Sequence, residues 1–361
     1  MFDVTRNYII LDGSPIGRRR FISRRLIAVL VYLLLPCAMG IAARLDGAWK
    51  LPGNDKGFSQ HFDYWVLFLT TPIVLLITAH LLETFTATIN SLDVLYVRAS
   101  AELQRKTERL IARHLDHLSL RTIPSISLAG FLALVMLFFC IINVINTSSA
   151  DAVRNTYGHD SYDALPHVLS FYIGKTYVFI VFPVVYAIAL SVAFQVTYAM
   201  MSILRFLGNN DMLQVNLFHE DNCGGTSRFG DANLLIMLIY ANFIAVRATM
   251  YLTHHTTYFV ANAALLGCSV AAAGQSVLAV YSIHRVLVRK KRECIEALGR
   301  RLNVDVDTTL RVGGRFSSDV LAFRNHVAGL YTYPYAKPAL AAVNVIRFLP
   351  AALAVATVLT K

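Results

Sequence analysis

Between two long apolar runs lies the segment His219-Glu220-Asp221-Asn222-Cys223-Gly224-Gly225-Thr226-Ser227-Arg228-Phe229-Gly230-Asp231. His219, Glu220 and Asp221 are side chains of the kind that hold metals or carry protons. Gly224 and Gly225 permit positive φ and a close backbone approach. Thr226, Ser227 and Arg228 lead into an apolar helix, and free N–H groups at a helix N-terminus attract phosphate-like anions. The same residues also suit a tight re-entry turn, with Asp231 capping the next helix and His219 and Asp221 bonded to backbone. The candidate binding residues here are His219, Asp221, Gly224, Gly225 and Arg228.

Other chemistry is sparse. His80 and Glu83 lie three apart on one helical face, and His284 falls near the end of a later apolar run. Together with His219 and Asp221 they would form a cluster at one membrane mouth, although satisfied interfacial histidines are the simpler expectation. A metal site needs three or more such ligands, and no H-E-x-x-H or comparable motif occurs. Gly274-Gln275-Ser276 starts like a nucleophile elbow but lacks the second glycine. There is no P-loop and no dinucleotide fingerprint, so the sequence specifies no cofactor, no metal and no catalytic residue.

The elements that carry these residues are membrane spans. Hydrophobic residues make up 56% of the chain and charged ones 15%, well below the roughly 25% of soluble domains. The apolar runs Leu26–Ala43, Tyr64–Leu82, Ile126–Ile145, Thr176–Phe206, Ala232–Leu252 and Tyr258–Val288 predict six spans. Ala339–Leu359, interrupted by Arg347 and Pro350, is the candidate for a seventh. The first run follows Arg18-Arg19-Arg20 and also has features of an export signal, but the spans that follow favour an anchor. The expected fold is therefore an all-α polytopic transmembrane helical bundle of six to seven spans with cytoplasmic helical extensions.

With the N-terminus inside and seven spans, 25 of the 33 lysines and arginines fall on the cytoplasmic side and six outside. This asymmetry predicts an inner-membrane protein with a cytoplasmic N-terminus. It accounts for the net charge of +11 as a topology signal facing anionic lipid, and so argues against nucleic acid as a partner. The predicted domains are a basic N-terminus over 1–25, a six-span bundle over 26–288, cytoplasmic helices over 289–338 and the last span over 339–361. Within the bundle, 83–125 is expected as a cytoplasmic helical arm and 208–231 as the glycine-rich cytoplasmic loop. On the arm, Leu92, Tyr96, Ala99, Leu103 and Leu110 mark one face, with Glu102 and Lys106 paired on the other. In 289–338, Val320, Phe323, Val327 and Leu330 mark an amphipathic helix capped by Ser317 or Ser318.

The loop resembles an H-P-D-x-x-G-G-L-x-F-L-G-like signature of bacterial multi-pass membrane proteins of uncharacterised activity. The matching residues are His219, Asp221, Gly224, Gly225, Phe229 and Gly230, with Glu220 in place of the proline and a longer spacing to Phe229. Tyr333-Pro334-Tyr335 before the final apolar run is similar to the same group. The resemblance implies a shared membrane fold and no particular activity.

No carboxylate lies deep in any predicted span, which disfavours a proton-coupled pump. Arg247 sits near the outer end of its span and either snorkels or faces an aqueous path, which adds it to the candidate binding residues. Asn143, Gln195, Asn242, Asn262, Gln275 and Asn344 either line a path or bond helix to helix. The leading expectation is a channel-like or transport-related protein in the lipid bilayer, with a homo-oligomer as one arrangement. A membrane sensor, scaffold or effector working through its cytoplasmic helices is the alternative. A membrane-embedded enzyme using His219 and Asp221 is the third.

Overall fold

The computed structural model describes residues 33–34, 36–47, 49–50, 58–60, 62–95, 100–118, 128, 130–135, 137–138, 176–213, 223, 225–254, 259–312, 318–330 and 332–334. Among them every long element is an α-helix: α1 (Phe62–Leu95), α2 (Ala101–Leu118), α3 (Phe182–Asn209), α4 (Ser227–His254), α5 (Phe259–Val312) and α6 (Ser318–Gly329). Four stretches are long and apolar enough to cross a membrane: Trp65–Ile89, Phe182–Asn209, Ser227–Val246 and Val270–Arg300. They correspond to the second, fourth, fifth and sixth predicted runs. Six to seven spans is therefore more than these residues establish. Residues 33–34 and 36–43 of the first run and 128, 130–135 and 137–138 of the third are helical, and the seventh run lies outside the described residues.

α1 shows how a polar-dotted helix survives among apolar neighbours. Five of its six threonines return their hydroxyls to carbonyls one turn back: Thr70 to Val66, Thr71 to Leu67, Thr78 to Val74, Thr86 to Leu82 and Thr88 to Thr84. Each of these donors is thus satisfied within the helix, as an apolar medium demands. Pro72 lies inside α1 without ending it. Around it, neighbouring helices supply extra donors: Tyr177 Oη donates to the Leu67 carbonyl at 3.1 Å and Asn242 Nδ2 to the Thr70 carbonyl at 3.2 Å.

Tyr177 is held in that position by a π-helical turn, Tyr177–Val181, that runs into α3. Pro183 in the first turn of α3 lacks an N–H and crowds the preceding turn, and the backbone widens to an i→i−5 bond from the Phe182 N–H to the Tyr177 carbonyl. α3 is then the central post of the bundle. It packs against α1, α2, α4 and α5, and its small residues Ala187, Ala189, Ala193 and Ala199 are buried. Small side chains let helix backbones approach closely.

The contacts set directions. Asn242 in the middle of α4 meets Thr70 in the first third of α1, while Thr88 late in α1 bonds the Arg228 carbonyl at the start of α4, so α1 and α4 are antiparallel. α3 and α5 run parallel. Thr197 bonds Gln275, Gly208 faces Val286 and Arg289 pairs with Asp211, at sequence separations that stay fixed at 78. Two helices that keep one offset over these points lie side by side without slippage.

Two expectations change. The arm beginning at Glu83 is not one helix: Ser100, between α1 and α2, is non-helical, and its Oγ accepts from the Leu103 N–H at 3.4 Å as the N-cap of α2. The buried face of α2 is Thr107, Ile111, His114 and Leu118, packed on α3, while Leu103 and Leu110 are only half-buried. The Glu102–Lys106 pair forms at 2.7 Å, and it holds the Glu102 carboxyl below its usual range. Second, Arg289-Lys290-Lys291-Arg292 closes the sixth apolar run, Tyr258–Val288, but not its helix. α5 continues to Val312, 54 residues in all, about 81 Å at 1.5 Å per residue.

α6 folds back on α5, with Val327 and Leu330 buried and Phe323 half-buried as the periodicity predicts. Lys291 Nζ donates to the Ala328 and Leu330 carbonyls at 2.6 and 3.0 Å. A cation at the open carbonyls of a helix C-terminus is a favourable placement. His284 bonds the Thr332 carbonyl through Nδ1 and stacks on Tyr333, with ring centroids 4.1 Å apart.

Candidate functional site

The glycine-rich loop is described in part. His219, Asp221 and Gly224 lie outside the described residues. Gly225 has φ +85°, the conformation expected of an adjacent-glycine turn. Thr226, fully buried, donates its hydroxyl to the Cys223 carbonyl at 2.6 Å, and the Phe229 N–H returns to the Thr226 carbonyl at 3.1 Å. The helix therefore starts at Ser227, earlier than the expected Ala232. Asp231 falls inside α4 and is not its cap. Arg228 spans to the neighbouring helix: its Nη1 donates to the Ala87 carbonyl at 3.4 Å and its own carbonyl accepts from Thr88 Oγ1 at 3.3 Å. These contacts make the described part of the loop a structural junction between α4 and α1.

The candidate arginines, Arg228 and Arg247, do not converge. Arg228 and Arg247 stand near opposite ends of α4, about 28 Å apart along its axis. No group of three or more His, Cys, Asp or Glu residues among the described residues is placed to hold a metal. His80 meets Glu83 at 3.4 Å on the surface of α1, and His284 is engaged with Thr332 and Tyr333.

The amides divide between helices as well. Asn242 accepts from Tyr186 Oη while donating to Thr70, which joins α1, α3 and α4 at one residue. Asn233 Nδ2 donates to the Ser276 carbonyl at 3.0 Å, linking α4 to α5. Gln275 Oε1 accepts from Thr197 at 3.1 Å, linking α5 to α3. These three are helix-to-helix ties. His114 on α2 is buried, edge-on to Tyr198 with ring centroids 5.4 Å apart. Burial, assisted by His117 and Arg113, pulls its pKa down to about 4, which keeps it neutral.

The feature that sequence reasoning missed is a cleft of about 630 Å³ between the C-terminal half of α3 and the middle of α5. Its lining is graded. Met201, Leu204 and Leu278 form the apolar end. Arg205, Asn209, Arg285 and Arg289 form the polar end, with Tyr281 and Ser282 between. Arg289 pairs with Asp211 at 2.5 Å and approaches Glu293 at 3.9 Å. Arg205 and Arg285, both exposed, have no ion-pair partner among the described residues. The arginines were visible in the sequence only as topology markers. Their convergence follows from the parallel α3–α5 register, which single-helix periodicity does not encode.

No family model matches the chain, and no curated protein and no solved structure is detectably similar to it.

Proposed function

We propose that this chain is a sensor or effector of the inner membrane, in which a helical bundle in the bilayer works on helices that stand outside it. In this reading the N-terminus is cytoplasmic and the bundle has six to seven spans, the four apolar stretches forming its centre. One observation carries the proposal: α5 passes from the bundle into its charged extension without a break, and α6 docks on that extension. A hydrocarbon layer of about 30 Å covers well under half of such a helix, so any shift of its membrane part moves the outer part as one rod. α2, packed on α3, presents Gln104, Arg105 and Arg109 outward on the same molecule. Photo-crosslinking residues placed at Gln104 and Arg324 in cells should give discrete protein adducts, while the purified protein passes no current in a planar bilayer. Selective conductance without adducts would sink this reading.

A channel-like or transport-related role, as a homo-oligomer, is the second reading. The cationic cleft favours it, because a basic mouth concentrates anions locally. Anion-selective current that changes with Arg247→Gln, in protein of unchanged stability, would establish it.

A further inference from the structure

We propose that the cleft between α3 and α5 binds the phosphate of an anionic phospholipid, a site independent of the sensor reading. The constant offset of 78 places the two helices level by level. On that scale Leu278 and Tyr281 lie level with Met200 and Ile203, beside Met201 and Leu204. Arg285 lies level with Leu207 and Arg289 with Asp211. The guanidiniums thus gather at the end of the cleft where the uncharged parts of the runs Thr176–Phe206 and Tyr258–Val288 close, and the apolar lining runs from there into the bundle.

Charge favours an anion at the basic end. Three arginines line it. Against them stands Asp211, which engages Arg289. Glu293 lies one turn beyond and is held at 2.9 Å by Lys290. The Phe206, Leu207 and Gly208 carbonyls at the end of α3 accept from the N–H groups of Asn210, Asp211 and Met212 and from the Asn210 side chain, which reduces the negative potential they present to the cleft. Among the described residues Arg205 and Arg285 have no ion-pair partner, and guanidinium forks suit phosphate oxygens.

The apolar end decides between ligand sources. Leu278 and Tyr281 are each 50% exposed. Free phosphate has nothing to place against them, whereas a phospholipid lays its acyl chains there while its headgroup meets the arginines. Volume agrees: about 630 Å³ is within the range of small-ligand sites and suits a headgroup with the first part of its chains.

The test uses the full-length protein in detergent, with bound lipid read by native mass spectrometry. Phosphatidylglycerol should be retained in preference to phosphatidylcholine. The pair Arg205→Gln and Arg285→Gln should weaken that retention roughly thirtyfold, from five- to sixfold per arginine. The control pair Arg105→Gln and Arg109→Gln removes the same charge from α2 and should leave retention unchanged. Equal losses in both pairs, or none in either, would overturn the site. Inorganic phosphate should not displace the lipid at matched concentration; displacement would reassign the cleft to a free phosphate and overturn the lipid assignment. A photoactivatable phosphatidylglycerol added to the unsubstituted protein provides a measurement that needs no variant. Adducts are expected on peptides covering 201–209 and 278–289, and adducts confined elsewhere would refute the proposal.

Discussion

Asn242 Nδ2 lies 3.2 Å from the carbonyl oxygen of Thr70, two residues ahead of Pro72, and its Oδ1 accepts from Tyr186. One side chain thus bridges α1, α3 and α4 beside the proline of α1. In an apolar medium neither partner finds a substitute in water. Asn242→Leu should lower stability by about 0.5–2 kcal/mol, the range of interhelical polar contacts in membranes. Tyr186→Phe should cost less in that background than in the native chain, because the phenol has already lost its acceptor. Unfolding in mixed micelles measures both, and strict additivity would show that the bridge is not a unit.

At the α4 junction, Gly225 has φ +85° and Thr226 ties back to Cys223. Gly225→Val should cost about 1 kcal/mol or more through the left-handed backbone, while Gly225→Asn should be milder. Thr226→Ala should cost about 1 kcal/mol, because the buried Cys223 carbonyl loses the hydroxyl that donates to it. Thermal melting of the three purified variants orders them; Gly225→Val as stable as Gly225→Asn would contradict the backbone argument.

The legible part of this fold was what a single segment can encode. Apolar length marked the runs containing α1, α3, α4 and α5, and periodicity marked the buried face of α6 at Val327 and Leu330. Element ends were harder. The break at Ser100 depends on a cap, and the unbroken passage of α5 through Arg289-Lys290-Lys291-Arg292 reflects helix propensity, which charge does not oppose. Hydropathy sees those four residues as an end because it measures solvent, not backbone. The roles of Asn233, Asn242 and Gln275 and the cleft at Arg205 and Arg285 depend on pairing and register between helices. The amides singled out in the apolar runs include Asn242 and Gln275 but not Asn233, and no list of single residues contains the pairs.

His114 supplies a pH-dependent term. Its pKa in the folded protein is about 4, against an ordinary value of 6.5. Above pH 6.5 it is neutral folded or unfolded and contributes no pH dependence. As pH falls from 6.5 towards 4, the unfolded chain takes up a proton that the buried imidazole refuses, so stability falls, and the loss levels off below about 4. His114→Phe should remove this part of the slope. Melting temperatures of native and variant protein across that window give the difference; parallel curves would show that His114 does not titrate as a buried group.

The docking of α6 rests on a contact that can be removed singly. Lys291 Nζ bonds the Ala328 and Leu330 carbonyls, whereas its neighbour Lys290 bonds only Glu293, on its own helix, among the described residues. Both lysines are partly exposed, so solvent screening reduces the value of each contact. Lys291→Met should nevertheless free the α6 terminus at a cost of about 1 kcal/mol, because two carbonyls lose their donor. Faster amide exchange should appear over residues 322–330, with exchange in α3 and α4 unchanged. Lys290→Met should leave exchange in α6 as it was. If the two variants exchange alike, the lysine does not fasten α6, and the buried Val327 and Leu330 hold it by packing alone.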